Sequence, residues 1–498
     1  MDQVLRADRM AHASHKPKLG GLCRSGMEGQ MELQNKATSL WRNFFDVRMV
    51  QIRTFHMTWF AFFSCFFAWF GIAPLMSVVR DELQLTKDQV GWAIIGSVSV
   101  TIFARLFVGW LVDRIGPRKS YTWLLMLGAL PVMGIGLAQD FQTFLLFRVL
   151  IGGIGASFVI TQYHTSVMFA PNVVGQANAT SAGWGNLGGG VTQFVMPLLF
   201  SVFVVGFGFS EAIGWRLSMV VVGSIIFLTG IAYYFLTQDA PDGNFDDLRA
   251  KGMMPEKKKV TGAYWTALRD PRVWVLFVIY GACFGIELTV NNVAALYFID
   301  YFDLTLVTAG LVAASFGLMN IFARTLGGLF GDNFGSLWGL KGRAFWLFVC
   351  ILFEGIALMI FSQMSVLFLA LPALIVFSLF TQMAEGATYS VVPFINKKAL
   401  GAVAGVVGAG GNAGAVLAGF LFKGAIDWHD AFFILGIVVS CASVLAFFVR
   451  FSTKQEDEER AAFAAANIET LRRRAERANT ELQAGIEALE AQKARPAQ

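Results

Sequence analysis

Long apolar runs separated by short polar segments dominate the chain from about residue 54 to residue 452. A helix needs about 20 predominantly apolar residues to cross the hydrocarbon layer of a bilayer. The runs that satisfy this length predict twelve spans, at residues 54–78, 91–112, 121–138, 142–168, 176–204, 215–237, 272–299, 305–331, 343–363, 366–393, 400–424 and 430–452. The pattern therefore predicts an all-α membrane protein with two six-helix halves.

Polar segments divide the chain into five parts. The predicted parts are a basic arm over 1–50, a first six-helix half over 51–237, a linker over 238–271, a second six-helix half over 272–452 and a charged helix over 453–498. The last part is rich in Ala, Glu and Arg, which favour helix, and its apolar positions recur every seven residues. We expect residues 455–498 to support self-association or a regulatory contact, the alternative being a solvated helix.

Charge predicts the orientation of the spans. Arg118 and Lys119 follow span two and Lys257 opens a basic run in the linker, whereas the loops on the other side are mainly acidic. The positive-inside rule then places both termini in the cytoplasm. We expect a multi-pass protein of the plasma (cell inner) membrane.

Composition agrees with a bilayer-embedded protein. Hydrophobic residues make up 56% of the chain and charged residues only 15%, and the mean hydropathy is +0.58. The net charge of +5 comes from the basic loops and the arm. It therefore gives no reason to expect a nucleic-acid partner.

One local sequence occurs in both halves, as FARLFVGWLVDRIG at residues 103–116 and as FARTLGGLFGDNFG at residues 322–335. Arg105 and Arg324 each precede an acid by eight residues, so each begins roughly 12 Å inside the membrane boundary at 1.5 Å of rise per residue. A cation at the bilayer centre costs about 2.5 to 3.5 kcal/mol on insertion scales. A duplicated one therefore predicts a binding site.

Two glycine-rich stretches also correspond, AGWGNLGGGVTQ at residues 182–193 and GAGGNAGAV at residues 408–416, with Asn186 matching Asn412. Small residues in membrane helices can serve close helix packing. Alternatively, a wall without side chains admits a small ligand to the backbone, and the asparagines supply amide donors. The glycines assigned to this wall are Gly185, Gly189 and Gly411.

Two guanidinium groups and two amides on matching helices predict a site for a small anion on the axis that relates the halves. A guanidinium presents a rigid planar fork that fits a flat oxyanion in bidentate fashion. The alternative is a structural ion pair with Glu287 or Glu385. We disfavour it because no acids recur at equivalent positions in the two halves.

The loop after span two contains the pattern GxxxDRxGxRK. Ion pairs and helix-end contacts in such a loop would hold the cytoplasmic side shut in one state. The gate residues are Gly109, Asp113, Arg114 and Arg118. This pattern resembles the signature of the major facilitator superfamily.

Together with the glycine stretches and the paired arginines, it resembles the nitrate/nitrite porter family of that superfamily. Residues 281–292, 316–328 and 384–394 are most similar to its high-affinity nitrate-uptake branch.

The resemblance implies a secondary active transporter, not an enzyme, that imports nitrate or nitrite by alternating access for nitrate assimilation. It implies that Arg105 and Arg324 clasp the anion and that Asn186 and Asn412 belong to nitrate signatures. It further implies stacking and hydrogen-bonding roles for the aromatic residues Phe158, Tyr389 and Tyr280.

Import of nitrate works against an inside-negative potential, at about 2.3 kcal/mol per 100 mV. The resemblance favours proton symport, with Glu287, Glu385 and His164 as titratable candidates. A nitrate/nitrite antiporter would need none of these residues, and a nitrate-binding membrane sensor could signal through the C-terminal helix. No cofactor or metal site is predicted, because the sequence has no metal-ligand spacing or nucleophile constellation.

Overall fold

The computed structural model describes residues 35–169, 174–252, 263–396 and 400–458, with a few helical positions further on. Twelve helices within this part are long and apolar enough to cross a membrane. They are α1 Val50–Glu82, α2 Lys87–Val112, α3 Pro117–Leu137, α4 Phe141–Met168, α5 Ala177–Gly206, α6 Glu211–Leu236, α7 Pro271–Phe302, α8 Leu306–Trp338, α9 Leu340–Ser362, α10 Leu367–Phe394, α11 Ala402–Lys423 and α12 Trp428–Phe448. Two short helices, Phe245–Ala250 and Ala263–Arg269, lie between the halves. The predicted twelve spans are confirmed.

Several helices extend past the apolar run that predicts them. The first span is predicted at residues 54–78, yet α1 continues to Glu82. Its last turns carry Arg80, whose Nη1 is 2.5 Å from Asp300 Oδ2. Hydropathy detects only the apolar core of a span, whereas the helical hydrogen-bond ladder continues into polar surroundings where charged side chains find partners.

Irregular turns interrupt some of the membrane helices. They are the 3-10 segments Ala73–Leu75 in α1, Gly153–Ala156 in α4 and Met319–Ile321 in α8, and the π-helical end Val202–Gly206 of α5. The breaks in α4 and α8 come just before Phe158 and Arg324. Non-helical backbone at membrane depth is tolerated where it is buried in protein or lines a cavity. The breaks in α4 and α8 therefore lie next to residues that a site between the helices could include.

The two halves meet at the end of the helices that lies away from the linker, called here the opposite end; the linker end is called the basic end. At the opposite end, Arg80 pairs with Asp300, and Lys423 Nζ lies 3.5 Å from Asp88 Oδ1. A Cβ added to Gly91 would lie only 2.0 Å from the Cβ of Lys423, so α2 and α11 are in close contact. The halves are therefore closed against each other at the opposite end.

The loops after α2 and α8 end in the same backbone conformation. Gly116 has φ +84° and Gly339 has φ +71°, a region that favours glycine. Sequence spacing matches Gly116 with Gly335, and this is wrong, because Gly335 is buried within α8. The second copy is about one helical turn longer before its loop. Its acid, Asp332, pairs with Arg343 at 2.6 Å.

Only parts of the two terminal segments belong to the described residues. Residues 1–34 of the predicted basic arm lie outside them, as does most of 453–498, which includes the predicted self-association segment. At the start of the latter, Gln455 Nε2 donates to Phe394 O at 2.6 Å and Glu456 pairs with Lys341 at 3.5 Å. The beginning of the C-terminal segment thus contacts the second half.

Candidate anion-binding site

Both halves contribute to one cavity near the middle of the helices. It is lined by Arg105, Phe158 and Asn186 from the first half and by Tyr280, Phe284, Arg324 and Gly408 from the second. The cavity therefore brings together the two arginines that the sequence predicted to converge.

The ring of Phe284 lies close to both guanidinium groups. Its centroid is 6.0 Å from Arg105 Cζ and 5.9 Å from Arg324 Cζ. The two Cζ atoms are therefore separated by at most the sum of these distances. An anion in this cavity would have a guanidinium from each half within reach.

Arg105 contacts a backbone carbonyl and aromatic rings rather than an acid. Its Nη1 donates to Gly408 O at 3.2 Å and its Cζ lies 5.6 Å from the centroid of the Phe158 ring. Its buried Nε has no hydrogen-bond partner. Among the described residues, no carboxylate lies within ion-pair distance of Arg105. The charge of Arg105 is therefore uncompensated, and a bound anion would complete its hydrogen bonding.

Arg324 has a different environment. One of its nitrogens, Nη2, forms an ion pair with Glu385 and also donates to Tyr280 Oη at 3.2 Å. The prediction that the paired arginines have no carboxylate partner is therefore wrong for Arg324. A Cβ on Gly386 would lie 2.1 Å from Arg324 O, so α8 and α10 touch through their backbones and bring Glu385 to the guanidinium. Arg324 Nη1 remains buried without a hydrogen-bond partner and can still bind an anion.

Further acids surround this ion pair. Glu287 on α7 is fully buried, and its Oε1 accepts a hydrogen bond from Asn320 Nδ2 at 2.8 Å. It interacts electrostatically with both Arg324 and Glu385. Glu354 on α9, which sequence reasoning missed, is also fully buried and near Glu385. The acids thus cluster on the second half, next to one of the two arginines.

His164, the third titratable candidate, lies apart from this cluster. Its Nδ1 is 2.6 Å from Tyr233 Oη and its Nε2 is 2.9 Å from Gln238 O. These contacts join α4 to the end of α6 and the start of the linker. His164 therefore lies at the basic end, outside the central cavity.

The aromatic residues that the resemblance implied lie at or beside the cavity. Phe158 and Tyr280 line the cavity as expected. The Tyr389 ring meets that of Tyr280 edge-on at 5.1 Å, and its hydroxyl donates to Ala404 O at 3.3 Å, next to the cavity-lining Gly408. Phe284 also lines the cavity and stacks on Tyr280 with centroids 5.2 Å apart. Sequence reasoning missed Phe284, although its segment carried part of the family resemblance.

The two asparagines are not equivalent either. Asn186 lines the cavity, whereas Asn412 is fully buried outside the lining. Neither Nδ2 nor Oδ1 of Asn412 has a hydrogen-bond partner. The neighbouring Gly408, which sequence reasoning did not assign to the site, contributes to the lining instead.

The matched glycines Gly185 and Gly411 support aromatic walls rather than expose backbone to the cavity. A Cβ on Gly411 would lie 2.3 Å from the ring of Phe284, and one on Gly185 would lie 1.8 Å from the ring of Phe62. Phe62 in turn packs against Phe158, with centroids 5.8 Å apart. A larger residue at either glycine would therefore push an aromatic ring toward the cavity.

Other glycines of the two stretches serve close helix packing, as the structural interpretation predicted. A Cβ on Gly189 would lie 3.2 Å from Asn291 Nδ2. A Cβ on Gly410 would lie 2.1 Å from Phe277 O. The stretches thus combine helix packing with support of the cavity walls.

The predicted gate contacts the first half and the linker in this conformation. Arg118 donates from its backbone nitrogen to Asp239 Oδ1 at 2.9 Å and from Nε to Tyr234 O at 2.7 Å. Burial raises the pKa of the Asp239 carboxyl, and hydrogen bonds from the backbone N–H groups of Phe245 and Arg118 partly offset this. A Cβ on Gly116 would lie 2.5 Å from Asp239, which explains the glycine.

The remaining gate residues have less specific surroundings. The Arg114 guanidinium lies over the Trp110 ring, with Cζ 4.7 Å from the centroid. A Cβ on Gly109 would meet only Val159, at 3.8 Å. The side chain of Asp113 is outside the described part of the chain. The contacts described for the gate do not join the two halves, which agrees with closure at the opposite end.

Twelve membrane helices in two halves, with a polar cavity between them, define a membrane transport protein of the facilitator type. The chain matches the Major Facilitator Superfamily over residues 58–394 and 289–491. It is 39% identical to the high affinity nitrate transporter 2.5 of Arabidopsis thaliana, covering 83% of this chain and 82% of that protein. It is 31% identical to the nitrate/nitrite transporter NrtP of Nostoc punctiforme, covering 80% and 92%.

The chain therefore belongs to the nitrate/nitrite porter family of the major facilitator superfamily. The predictions of this family and of a transporter rather than an enzyme are confirmed. A solved structure with a similar fold is that of a bacterial homolog of the human lysosomal transporter Spinster, in an inward-facing and occupied conformation. Its TM-score is 0.64 at 14% identity, covering 84% of this chain and 99% of that one.

Proposed function

We propose that this protein imports nitrate by alternating access and couples the import to protons. The observation that carries the proposal is the convergence of Arg105 and Arg324 on one cavity between the halves, with Arg105 lacking any described carboxylate partner. The names of the relatives support nitrate as the anion, with nitrite as a second substrate.

In this proposal the protein lies in the plasma (cell inner) membrane with both termini in the cytoplasm. The basic end then faces the cytoplasm, in keeping with the positive-inside rule. Closure at the opposite end, through Arg80 with Asp300 and Lys423 with Asp88, corresponds to a conformation closed toward the outside. The halves rock about the central cavity to expose it to each side in turn.

Nitrate is flat and carries its charge on three oxygens, so it matches the planar donors of a guanidinium. Arg105 Nε and Arg324 Nη1 are the buried donors without partners. The Phe158 and Phe284 rings lie beside Arg105, on different sides of the interface between the halves. They provide apolar surface against which a weakly hydrated flat anion can lie.

Glu385 explains how a proton can be coupled to this anion. When Glu385 is ionised it already neutralises Arg324, so nitrate has to compete with an internal carboxylate. A proton on Glu385 removes that competitor and frees the guanidinium for nitrate. Proton and nitrate then bind together, and their joint movement cancels the cost of about 2.3 kcal/mol per 100 mV that nitrate alone would meet.

Labelled nitrate uptake into proteoliposomes tests the function. The protein should accumulate nitrate when a proton gradient points inward and no internal nitrite is present. A strict requirement for internal nitrite, with no response to the proton gradient, would instead identify a nitrate/nitrite antiporter. Nitrate binding without flux under any gradient would identify a sensor.

The variant Glu385→Gln tests the coupling. It should lose accumulation driven by the proton gradient but keep exchange of labelled for unlabelled nitrate, because Arg324 is then permanently free. Glu354→Gln is the matched control, since it removes another fully buried glutamate of the same half and should leave gradient-driven accumulation intact. Persistent proton-driven accumulation by Glu385→Gln would overturn this role of Glu385.

A further inference from the structure

Another buried arginine, Arg148, lies outside the central cavity. Arg148 on α4 is 1% exposed. Its Nη1 donates to Trp69 O at 3.2 Å and its Nη2 donates to Asn292 Oδ1 at 2.9 Å, while its Nε has no hydrogen-bond partner. In the described part of the chain, no carboxylate is within ion-pair distance of it. Its positive charge is therefore buried and uncompensated in this conformation.

Arg148 lies between the central cavity and the opposite end. Its partner Asn292 follows Phe284, which lines the cavity, by eight residues on α7, or about 12 Å at 1.5 Å of helical rise per residue. Because α7 runs from the linker toward Asp300, this displacement is toward the opposite end. The hydrogen bond between Arg148 and Asn292 joins the first half to the second. The charge is therefore placed on the interface between the two halves, called here the seam, which must open for access from the opposite end.

Further polar groups accompany Arg148 on this seam. Gln193 Nε2 on α5 donates to Asn291 O on α7 at 2.7 Å, a second hydrogen bond between the halves. Asn291 Nδ2 and Gln193 Oε1 are buried without hydrogen-bond partners. Separation of the halves would break both bonds and expose amide donors on the same seam as the guanidinium, one residue along α7 from its partner Asn292. These are the groups that bind a small oxyanion.

The seam elsewhere is joined differently. At the opposite end itself, Arg80 and Lys423 meet carboxylates across the halves. Arg148 instead meets the neutral amide of Asn292, although a carboxylate there would hold the halves together more strongly. An uncompensated guanidinium is costly in the closed state and well suited to attract an anion in the open one.

We propose that Arg148 and the amide of Asn291 form an outer binding site for a small oxyanion, occupied when the halves part at the opposite end. The ligand has the chemistry of nitrate, so this inference rests on the proposed function and adds an outer site to it. Binding at the outer site raises the local concentration of the anion at the outer entrance to the central cavity. Closure then returns Arg148 to Asn292 and leaves the anion with Arg105 and Arg324.

The test is nitrate transport in oriented proteoliposomes, with half-saturation measured separately from the outer and inner sides. Arg148→Met should raise the outer half-saturation concentration about tenfold, as expected for loss of one charged hydrogen-bond donor, and leave the inner value unchanged. Arg148→Lys should raise the outer half-saturation concentration less than Arg148→Met does, because the positive charge remains.

Two substitutions at Asn292 separate an anion site from a simple latch. Asn292→Asp supplies an internal carboxylate for Arg148 and should raise the outer half-saturation concentration as Arg148→Met does. Asn292→Leu breaks the bond between the halves but keeps the cation, so the outer value should stay within about twofold of wild type. An unchanged outer value in Arg148→Met, or an equal shift in Asn292→Leu, would overturn the outer site.

These outcomes remain readable if Arg148→Met does not fold, because Asn292→Asp neutralises the same charge while Arg148 is kept. In that case an unchanged outer value in Asn292→Asp overturns the outer site. A wild-type protein that transports no nitrate contradicts the proposed function itself. Nitrate transport by wild type with no side-specific effect of these variants contradicts only the outer site.

Discussion

The two arginines of the repeated FAR sequence occupy equivalent positions in the two halves, yet their surroundings differ. Arg324 is paired with Glu385 and bonded to Tyr280. Arg105 has only the carbonyl of Gly408 and the ring of Phe158 beside it. Arg324 is neutralised by Glu385, whereas Arg105 has no carboxylate partner among the described residues and can be neutralised by a bound anion.

This difference gives the two halves separate tasks in the proposed transport cycle. Arg105 supplies a constant attraction for the anion, whatever the pH. Arg324 supplies an attraction that depends on the protonation of Glu385. A duplicated site can therefore be symmetric in its anion ligands and asymmetric in its coupling.

The largest expected effect is at Arg105. Arg105→Lys should weaken nitrate binding about 100-fold, because the uncompensated planar fork in the central cavity becomes a point charge and loses bidentate bonding. Arg324→Lys should weaken it about tenfold, since Arg324 already shares its charge with Glu385. Calorimetric titration of the purified protein with nitrate measures both. Equal losses of nitrate affinity would show that the two arginines are equivalent. Unchanged affinity in both variants would contradict bidentate binding of nitrate by the two guanidinium groups.

The free energy of unfolding provides a second comparison. Arg324→Gln should destabilise the protein by about 3 kcal/mol, because it leaves Glu385 buried without its cation. The double variant Arg324→Gln with Glu385→Gln should recover most of this loss. Arg105→Gln should cost less than about 1 kcal/mol, since it leaves no buried carboxylate unpaired. Denaturant unfolding in detergent micelles measures these values, and a similar loss for both single variants would contradict the asymmetry.

A smaller effect is expected at the glycines behind the aromatic walls. Gly411→Ala should raise the half-saturation concentration for nitrate about tenfold, because its Cβ would displace Phe284 directly into the cavity. Gly185→Ala should raise it only about threefold, because it acts on Phe158 through Phe62. Gly153→Ala is the control, since a Cβ there meets no atom within 4 Å. A larger effect at Gly185 than at Gly411 would reverse this ranking of the two walls.

The sequence alone was sufficient for the fold. A bilayer imposes a minimum apolar length on every crossing helix, so the twelve spans could be counted directly. The same cost of burying charge made Arg105 and Arg324 conspicuous, and the structure brings both to one cavity. These features depend on the solvent and on local sequence, and both are visible along the chain.

Only the tertiary structure decided which groups surround each arginine. Glu385 reaches Arg324 because α8 and α10 touch at Gly386, and Phe284 lines the cavity where α7 packs on Gly411 of α11. Asn412 matches Asn186 in sequence, yet only Asn186 is part of the cavity lining. Such contacts depend on the rotation and spacing of helices that are distant in sequence, and similar local sequences leave both undetermined.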